Sequence, residues 1–496
     1  MAPSLEVPLA VQNGHINGHG PANGVKKPAQ HIEVPIHPTR SLQFLQKLYP
    51  ESCNQERPPL QARVKLRVII VGGGLGGLAC AIALARRGHT ITVLEQANQL
   101  GEVGAGIQIP SNSSRLLHSW GLQPFLQPVV VEPVGMTFRR WLDGKEIGYT
   151  KLVPEFRENF HAPYYVIHRA HFHDALYRRA LELGVEVKVA SRVVKYDMDA
   201  PSVEMANGET LQADLIVASD GVKSIARKSV LGGTDDPPQR TGFAAYRATV
   251  EAVKIKDDPE ISWLLEKPAL NIWIGEDRHV MTYSIAAGES FNMVLSHVDT
   301  SDSSTWKPEN AVKDMQGYFK GWDPRLTKII AMIEKTIKWP LLSGKPLQRW
   351  VAPSNKVLIM GDAAHAMVPY MSQGAAIAVE DGAALAAVLS LVETAEDISA
   401  ALKVFETVRI KRSGQMQAAS LLNGKLWHFA DGPEQVLRDE AMRPEVEARN
   451  FSWSPNQWSD PVTQWWAYGY DAEREVEEEW ERMSLVTSAD VEMDAM

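Results

Sequence analysis

The sequence predicts an α/β fold: a parallel sheet buried between helices, an antiparallel β-sheet domain inserted into it, and a helical segment at the C-terminus. Three observations carry that prediction. The run Leu66-Arg67-Val68-Ile69-Ile70-Val71 is β-branched and almost wholly apolar, as in a strand buried on both faces, and a glycine turn and an alanine-rich helix follow at once. A second apolar run, Val357-Leu358-Ile359-Met360, leads into another glycine turn and a Gly/Ala-rich helix. Between them, from Gly242 to Trp339, stretches such as Ala244-Tyr246-Ala248 and His279 to Ile285 alternate, the pattern of a separate antiparallel layer.

At 496 residues the chain is long enough for two or three domains. Lys plus Arg number 51 and Asp plus Glu 60, a formal charge of −9 that opposes general attraction to nucleic acid or an anionic membrane surface and favours a small-molecule partner. The two cysteines, Cys53 and Cys80, supply neither a disulfide framework nor a multi-cysteine metal site, which fits a reducing compartment. Met1 to Gln30 lacks the charged start and apolar core of a secretory signal, and no stretch reads as a membrane span, so the expectation is a soluble cytoplasmic protein.

Taken in order, 1–62 reads as a flexible tail with repeated Asn-Gly and His-Gly steps, in which Leu42 to Tyr49 has the spacing of one amphipathic helix. The range 63–240 is the first part of a nucleotide-binding domain. It contains the strand–turn–helix unit, with the helix from Leu78 to Arg87 stopped by Gly88, and the strand Thr90-Ile91-Thr92-Val93-Leu94-Glu95. Further on come a helix from Asn112 to Trp120, a strand from Tyr164 to His168, and a helix from Ala170 to Leu183. Two strands joined by Asn207-Gly208, a favoured hairpin dipeptide, precede the buried strand Leu215-Ile216-Val217-Ala218. The range 241–345 is the substrate-binding β-sheet domain, 346–395 the second part of the nucleotide-binding domain, and 396–496 a C-terminal helical arm. In that arm Trp453, Trp458, Trp465, Trp466 and Trp480 read as packing, and Glu475 to Glu481 as a solvated helix face.

The motif with the most chemistry is Gly72-x-Gly74-x-x-Gly77, set between a buried strand and a helix, with Glu95 at the end of the next strand. The glycines permit a tight turn and close approach to a pyrophosphate, the helix N-terminus favours its charge, and the carboxylate can accept both ribose hydroxyls. Strand, helix and acid in register define a Rossmann-like dinucleotide site. Because a carboxylate repels a ribose 2′-phosphate, the residues leave FAD or NAD. Gly361-Asp362-Ala363-Ala364-His365, Pro369 and Gln373-Gly374-Ala375 follow the second buried strand; such a turn can put a carboxylate near a ribityl chain and offer helix N-terminal amides to flavin carbonyls.

Gly72-x-Gly74-x-x-Gly77, Asp220-Gly221 and Gly361-Asp362, in that order, resemble the three signatures of FAD-dependent class A monooxygenases, the para-hydroxybenzoate and salicylate hydroxylase group. The resemblance runs from Lys65 to Met483. Gly104 to Pro110, His168-Arg169-Ala170, Trp273-Ile274-Gly275, Arg278-His279 and Tyr468 to Asp471 look like its salicylate hydroxylase branch and its fungal natural-product members. It implies that Glu95 binds the adenosine ribose and that Gly104, Ala105 and Gly106 line the flavin. It also implies that Arg169 meets the phosphate or ribityl region, that Asp220 serves FAD and a passing nicotinamide, that Asp362 binds the ribityl or pyrophosphate, and that Gly374 and Ala375 face the isoalloxazine. The catalytic pair it implies is Arg247, on the strand from Gly242 to Val250, and Tyr283, on a later strand. A cation beside a phenolate lowers the pKa of the phenol and holds it in place, and alternation sends Tyr246 to the opposite face.

The implied reaction is hydroxylation of an aromatic substrate in secondary metabolism, with NADPH or NADH as transient donor, O2 as co-substrate and a flavin C4a-hydroperoxide as oxygen carrier. The substrate is a phenol, a salicylate-like acid or a polyketide aromatic. An indole alkaloid oxygenase of the same family and a flavin oxidase or dehydrogenase are the alternatives. His168, His171 and His173 lack the spacing of a helical zinc site and read as packed or solvated, so no metal is expected. His365 reads as structural.

Overall fold

A computed structural model describes residues 58–101 and 105–494, the stretch from 486 onward as backbone only. The expected tail up to residue 57, with its helix over Leu42 to Tyr49, and the expected flavin contact at Gly104 lie outside the described residues. The chain begins as its apolar pattern dictates. Strand β1 (Arg67–Val71) enters helix α1 (Leu75–Arg86), which leads to β2 (Thr90–Leu94). Strand β3 (Gly106–Ile109) is followed by α2 (Ser111–Ser119), β4 (Gly135–Arg140) and β5 (Glu146–Lys151). Then come β6 (Tyr165–His168) and α3 (Arg169–Glu182), whose N-terminus is capped by His168 accepting from the Ala170 amide. Strands β7 (Glu186–Lys188), β8 (Val193–Asp197), β9 (Ser202–Met205), β10 (Thr210–Gln212) and β11 (Leu215–Ala218) lead to the short helix α4 (Ala226–Val230).

The long strand β12 (Gln239–Glu251) opens the inserted sheet, which continues through β13 (Leu270–Gly275), β14 (Arg278–Ile285), β15 (Ser290–Val298) and β16 (Ile337–Ser343). The chain then returns through β17 (Val357–Ile359), the one-turn α5 (Asp362–His365) and α6 (Gly374–Ser390). Helices α7 (Ile398–Trp427), α8 (Pro433–Val446), α9 (Pro461–Tyr468) and α10 (Ala472–Asp494) form the C-terminal part.

Five strands form an all-parallel sheet in the order β17-β11-β1-β2-β7, so the two glycine turns leave the same edge side by side with one strand between them. The inserted sheet has seven strands, β16-β12-β15-β14-β13-β4-β5, and here the boundary read from the sequence needs correcting. Strands β4 and β5, drawn from within 63–240, extend the layer expected from 241–345 alone. The β4–β13 pairing is parallel, the others antiparallel. A strand far away in sequence can join an edge only where the burial of its partner face rewards it, and Met136 and Phe138 of β4 sit fully buried beside Ile272 and Ile274 of β13.

One core surrounds the parallel sheet. A second lies between the inserted sheet and the C-terminal helices, where Trp458, Trp465, Trp466 and Tyr468 are buried; a third covers the other face of the inserted sheet. The tryptophan-rich arm is therefore wedged into the second core, while Glu477 and Glu478 of the acidic run face solvent. No helix among the described residues is long and apolar enough to cross a membrane.

Candidate active site

The turn between β1 and α1 is made by close packing. Gly72 has φ +108°, and a Cβ at Gly77 would stand 2.0 Å from the Gly72 carbonyl oxygen, so only glycine closes the turn. Glu95 anchors this loop: one carboxylate oxygen accepts from the Gly73 amide at 2.8 Å, the other from Ala97 at 2.8 Å. On the far side His173 holds the Gly73 carbonyl at 2.7 Å, so this histidine packs the loop as expected. Among the described residues no group of His, Cys, Asp and Glu is arranged to hold a metal ion.

Between the loop and the inserted sheet lies a cavity of about 340 Å3. Its wall takes Gly74, Gly106, Arg169, Arg247, Tyr283, Asp362, Gly374 and Ala375 from among the residues singled out in the sequence. Gly72, Gly77 and Glu95 lie behind that wall, shaping the loop, and Ala105 is buried with its carbonyl accepting from the Arg169 amide at 3.1 Å. Asp220, which the resemblance gives to FAD and a passing nicotinamide, has one carboxylate oxygen held locally and the other buried without a partner among the described residues. Its carboxylate accepts from the Ile225 amide at 3.0 Å, the Ala226 amide at 3.4 Å and the Tyr196 hydroxyl at 3.2 Å, while Ser219 and Gly221 on either side reach the cavity. The free amides entering α4 are the physical reason: they offer the carboxylate a local partner.

The strand register explains the opposite wall. Arg247 of β12 stands across from Val294 of β15, which stands across from Met281 of β14; Tyr283 pairs with Asn292 in a neighbouring row. One sheet face thus presents Arg247, Val294, Met281 and Tyr283 together, while Tyr246 turns into the third core. Asn292 accepts from the Gly106 amide at 2.6 Å, and a Cβ on Gly106 would fall 2.5 Å from the Tyr283 ring, so glycine is needed for β3 to lie against this wall. Burial raises the Tyr283 phenol well above the ordinary tyrosine range, and the neighbouring Arg247 draws it partly back. Burial lowers Arg247, with Tyr283 opposing, and lowers Arg169, where Arg247 adds to the effect and Asp362 opposes it. The Arg247 side chain makes no hydrogen bond or ion pair with the described residues.

One buried cluster holds the second glycine turn. Asp381 of α6 accepts from the Gly361 amide at 3.1 Å and binds His365 Nε2 at 2.6 Å, and Arg409 of α7 donates to its other oxygen at 2.9 Å. His365 is therefore a structural member of this cluster, as its sequence position suggests.

The sequence reading missed several wall residues. His279 and Met281 precede Tyr283 by four and two positions, so strand alternation alone could have found them. Gln108 accepts a hydrogen bond from the Tyr164 hydroxyl and lies within the segment already noted. Tyr370 and Trp427 carried no local signal; Trp427 comes from the end of α7 in the C-terminal arm.

A cofactor must fit this cradle. The N-terminus of the 12-residue helix α1 has no side-chain cap, and a Cβ on Gly74 would meet nothing within 4 Å. The N-terminus of α6 is likewise uncapped and borders the same cavity. Two open helix N-termini and Arg169 suit a pyrophosphate and a flavin edge, so the residues fit a bound FAD.

A glycine-loop parallel sheet facing an inserted sheet across one cavity defines the class of enzyme that sets a dinucleotide cofactor against a small molecule. Residues 65–420 match the family described as FAD binding domain, and the chain belongs to it. Two curated relatives are the FAD-dependent monooxygenase OpS4 of Beauveria bassiana (strain ARSEF 2860) and the 3-hydroxybenzoate 6-hydroxylase of Polaromonas naphthalenivorans (strain CJ2). The first is 35% identical, covering 83% of this chain and 96% of the relative. The second is 31% identical, covering 82% and 96%. The crystal structure of FqzB, 26% identical, superposes with a TM-score of 0.69 over 86% of this chain and 96% of that one. The protein is an FAD-dependent monooxygenase.

Proposed function

We propose that the enzyme hydroxylates a small aromatic substrate bearing an ionisable hydroxyl, such as a phenol, a salicylate-like acid or a polyketide aromatic, in secondary metabolism. The observation that carries this reading is the Arg247 guanidinium, facing Tyr283 in the cavity without a partner among the described residues. A partly desolvated cation is costly unless an anion joins it, so the wall favours a substrate that arrives or leaves as an oxyanion. Arg247 holds the phenolate oxygen, and the Tyr283 hydroxyl, kept protonated, donates a hydrogen bond to it. Met281, Val294, Tyr370 and Trp427 grip the ring and exclude water.

Glu95 holds the adenosine ribose, the Gly72 to Gly77 loop and the start of α1 hold the pyrophosphate, Arg169 and Asp362 hold the ribityl region, and Gly374 and Ala375 offer amides to the flavin. When bound, FAD reduced by NADPH or NADH activates O2 and supplies the oxygen atom. In this division of labour 63–240 with 346–395 serves the cofactor and the inserted sheet serves the substrate. Two cysteines, of which Cys80 is buried and unpaired, support a cytoplasmic enzyme. The test is NADPH and NADH consumption by FAD-loaded protein against phenols, salicylates, polyketide aromatics and indoles, with product mass recorded. Substrate-stimulated consumption with a gain of one oxygen is expected, and consumption with only hydrogen peroxide as product would overturn the reading.

A further inference from the structure

The inner face of the inserted sheet is covered where the cavity and the second core lie, and it is bare at one corner. In the register Ile337 of the edge strand β16 stands across from Arg247, Arg247 across from Val294, and Val294 across from Met281. Directly paired residues share a face, so one row runs from the sheet edge into the cavity wall. Exposure falls along it: Ile337 is 46% exposed, Arg247 and Val294 are half-buried, and Met281 is buried. Trp339 lies two residues beyond Ile337 on the same face and is 50% exposed; Thr249, two beyond Arg247, is exposed as well. Lys338 turns to the other face, where it pairs with Asp299 and lies 4.4 Å from the Trp306 ring centroid, so β16 brings no charge to the bare corner. The Thr336 hydroxyl donates to the Arg247 carbonyl at 2.9 Å, which fixes this edge beside the mouth of the cavity.

We propose that Ile337 and Trp339 form a platform for an apolar chain on the substrate, so that the enzyme selects hydroxyaromatics carrying an alkyl or prenyl chain on the ring carbon next to the hydroxyl. The inference rests on the aromatic hydroxylase reading above and names the substrate class of that same site.

The order of the row sets the direction of the chain. Arg247 is the member nearest the mouth, so an oxyanion held there leaves the ring directed inward over Val294 and Met281. A chain on the adjacent ring carbon then leaves beside Arg247. It meets Ile337 about 5 Å away across the strand pair and Trp339 about 7–8 Å away on the diagonal. A chain on the opposite ring carbon points into the buried interior. Apolar side chains exposed singly are ordinary, whereas two on one face, continuous with a cavity, gain by being covered together. A second protein suits the corner poorly. Pro340 removes an amide donor from the edge and so blunts strand-to-strand pairing, and two half-exposed side chains bare far less than the about 800 Å2 per partner of a stable interface.

The experiment uses the FAD-loaded full chain and 2-alkylphenols from ethyl to heptyl, with Kd read from the change in flavin absorbance and KM from NADPH consumption. Affinity should rise by about twofold per methylene, half the free energy of full burial, and the same chains in 4-alkylphenols should give no gain. The double variant Ile337→Ser, Trp339→Ser should lose the dependence on chain length. Leu437→Ser, which removes a side chain 56% exposed on α8 at the opposite edge of the sheet, should keep it. Flavin absorbance and Tm report the folding of each variant. An unaltered dependence in the double variant, or an equal gain in the two phenol series, would overturn the proposal. So would a double variant that alters only the sedimentation of the protein, the mark of an interface between copies. If the 2-alkylphenols bind with the expected dependence but NADPH yields no oxygenated product from any phenol, the platform stands and the hydroxylase reading falls. If phenols are oxygenated without regard to chain length, the reverse holds.

Discussion

At the scale of single residues, the site is governed by which polar groups already have partners. Arg247 has none among the described residues, so its charge is available to a substrate oxyanion; Arg247→Ala should leave FAD absorbance intact while substrate-dependent hydroxylation falls by about 100-fold or more, read as kcat/KM with product analysis. Arg247→Lys should recover only part of it, since a lysine supplies a point charge without the planar fork. Glu95 and Asp220 are both acids at strand ends, yet their commitments differ. One Glu95 oxygen braces the glycine loop through the Gly73 amide and the other accepts from Ala97, whereas one Asp220 oxygen takes all three contacts, with Ile225, Ala226 and Tyr196, and its other oxygen is buried without a partner among the described residues. Glu95→Ala should therefore weaken FAD binding, measured by flavin fluorescence quenching, more than Asp220→Ala does. Asp220→Ala should instead appear as a lower Tm. A reversed order would show that Asp220 meets the cofactor in spite of its turn contacts.

At the scale of elements, two junctions set the stability of the machinery. The β1–α1 turn admits no side chain at Gly77, and Gly77→Ala should cost about 3 kcal/mol or more in chemical denaturation, along with FAD binding. The second junction is where α8 meets β5. Glu445 of α8 accepts from the Tyr149 amide at 2.9 Å, from Asn456 at 3.0 Å and from the Ser454 hydroxyl. Burial nevertheless raises its carboxyl to about 7, with those hydrogen bonds opposing. A carboxyl with a raised pKa in the folded state binds its proton more tightly there than in the unfolded chain. Its stabilising effect is complete below the unfolded value and is lost as pH rises towards about 7, by roughly 3 kcal/mol. Glu445→Gln, which stays neutral, should leave Tm near that of the unaltered protein at about pH 5 and raise it at about pH 8. Equal Tm differences at the two pH values would refute this account.

At the scale of the whole molecule, the cavity is a seam between the parallel sheet, the inserted sheet and the C-terminal arm, so the cofactor and the fold support each other. Adding FAD to apoprotein at a hundredfold excess over its Kd should raise the unfolding free energy by about 2.7 kcal/mol, visible as a concentration-dependent Tm. Truncation after residue 460 would strip Trp465, Trp466 and Tyr468 from the second core, and a loss of cooperative unfolding is expected. The sequence by itself determined the β1–α1–β2 unit, the return of the chain at β17, the strand alternation of the insertion and the glycine geometry of a dinucleotide site. Each of these is written in neighbouring residues, through periods of two and 3.6 and through positions where a side chain cannot fit. Arg247 and Tyr283 were legible through the family resemblance, and alternation could have added His279 and Met281. The tertiary structure alone decided that β4 and β5 complete the inserted sheet, that one Asp220 oxygen turns towards the amides before α4, and that Trp427 of the arm lines the cavity. Those outcomes depend on register and packing between residues hundreds of positions apart, where the energy lies in the burial of matched faces and leaves no local mark.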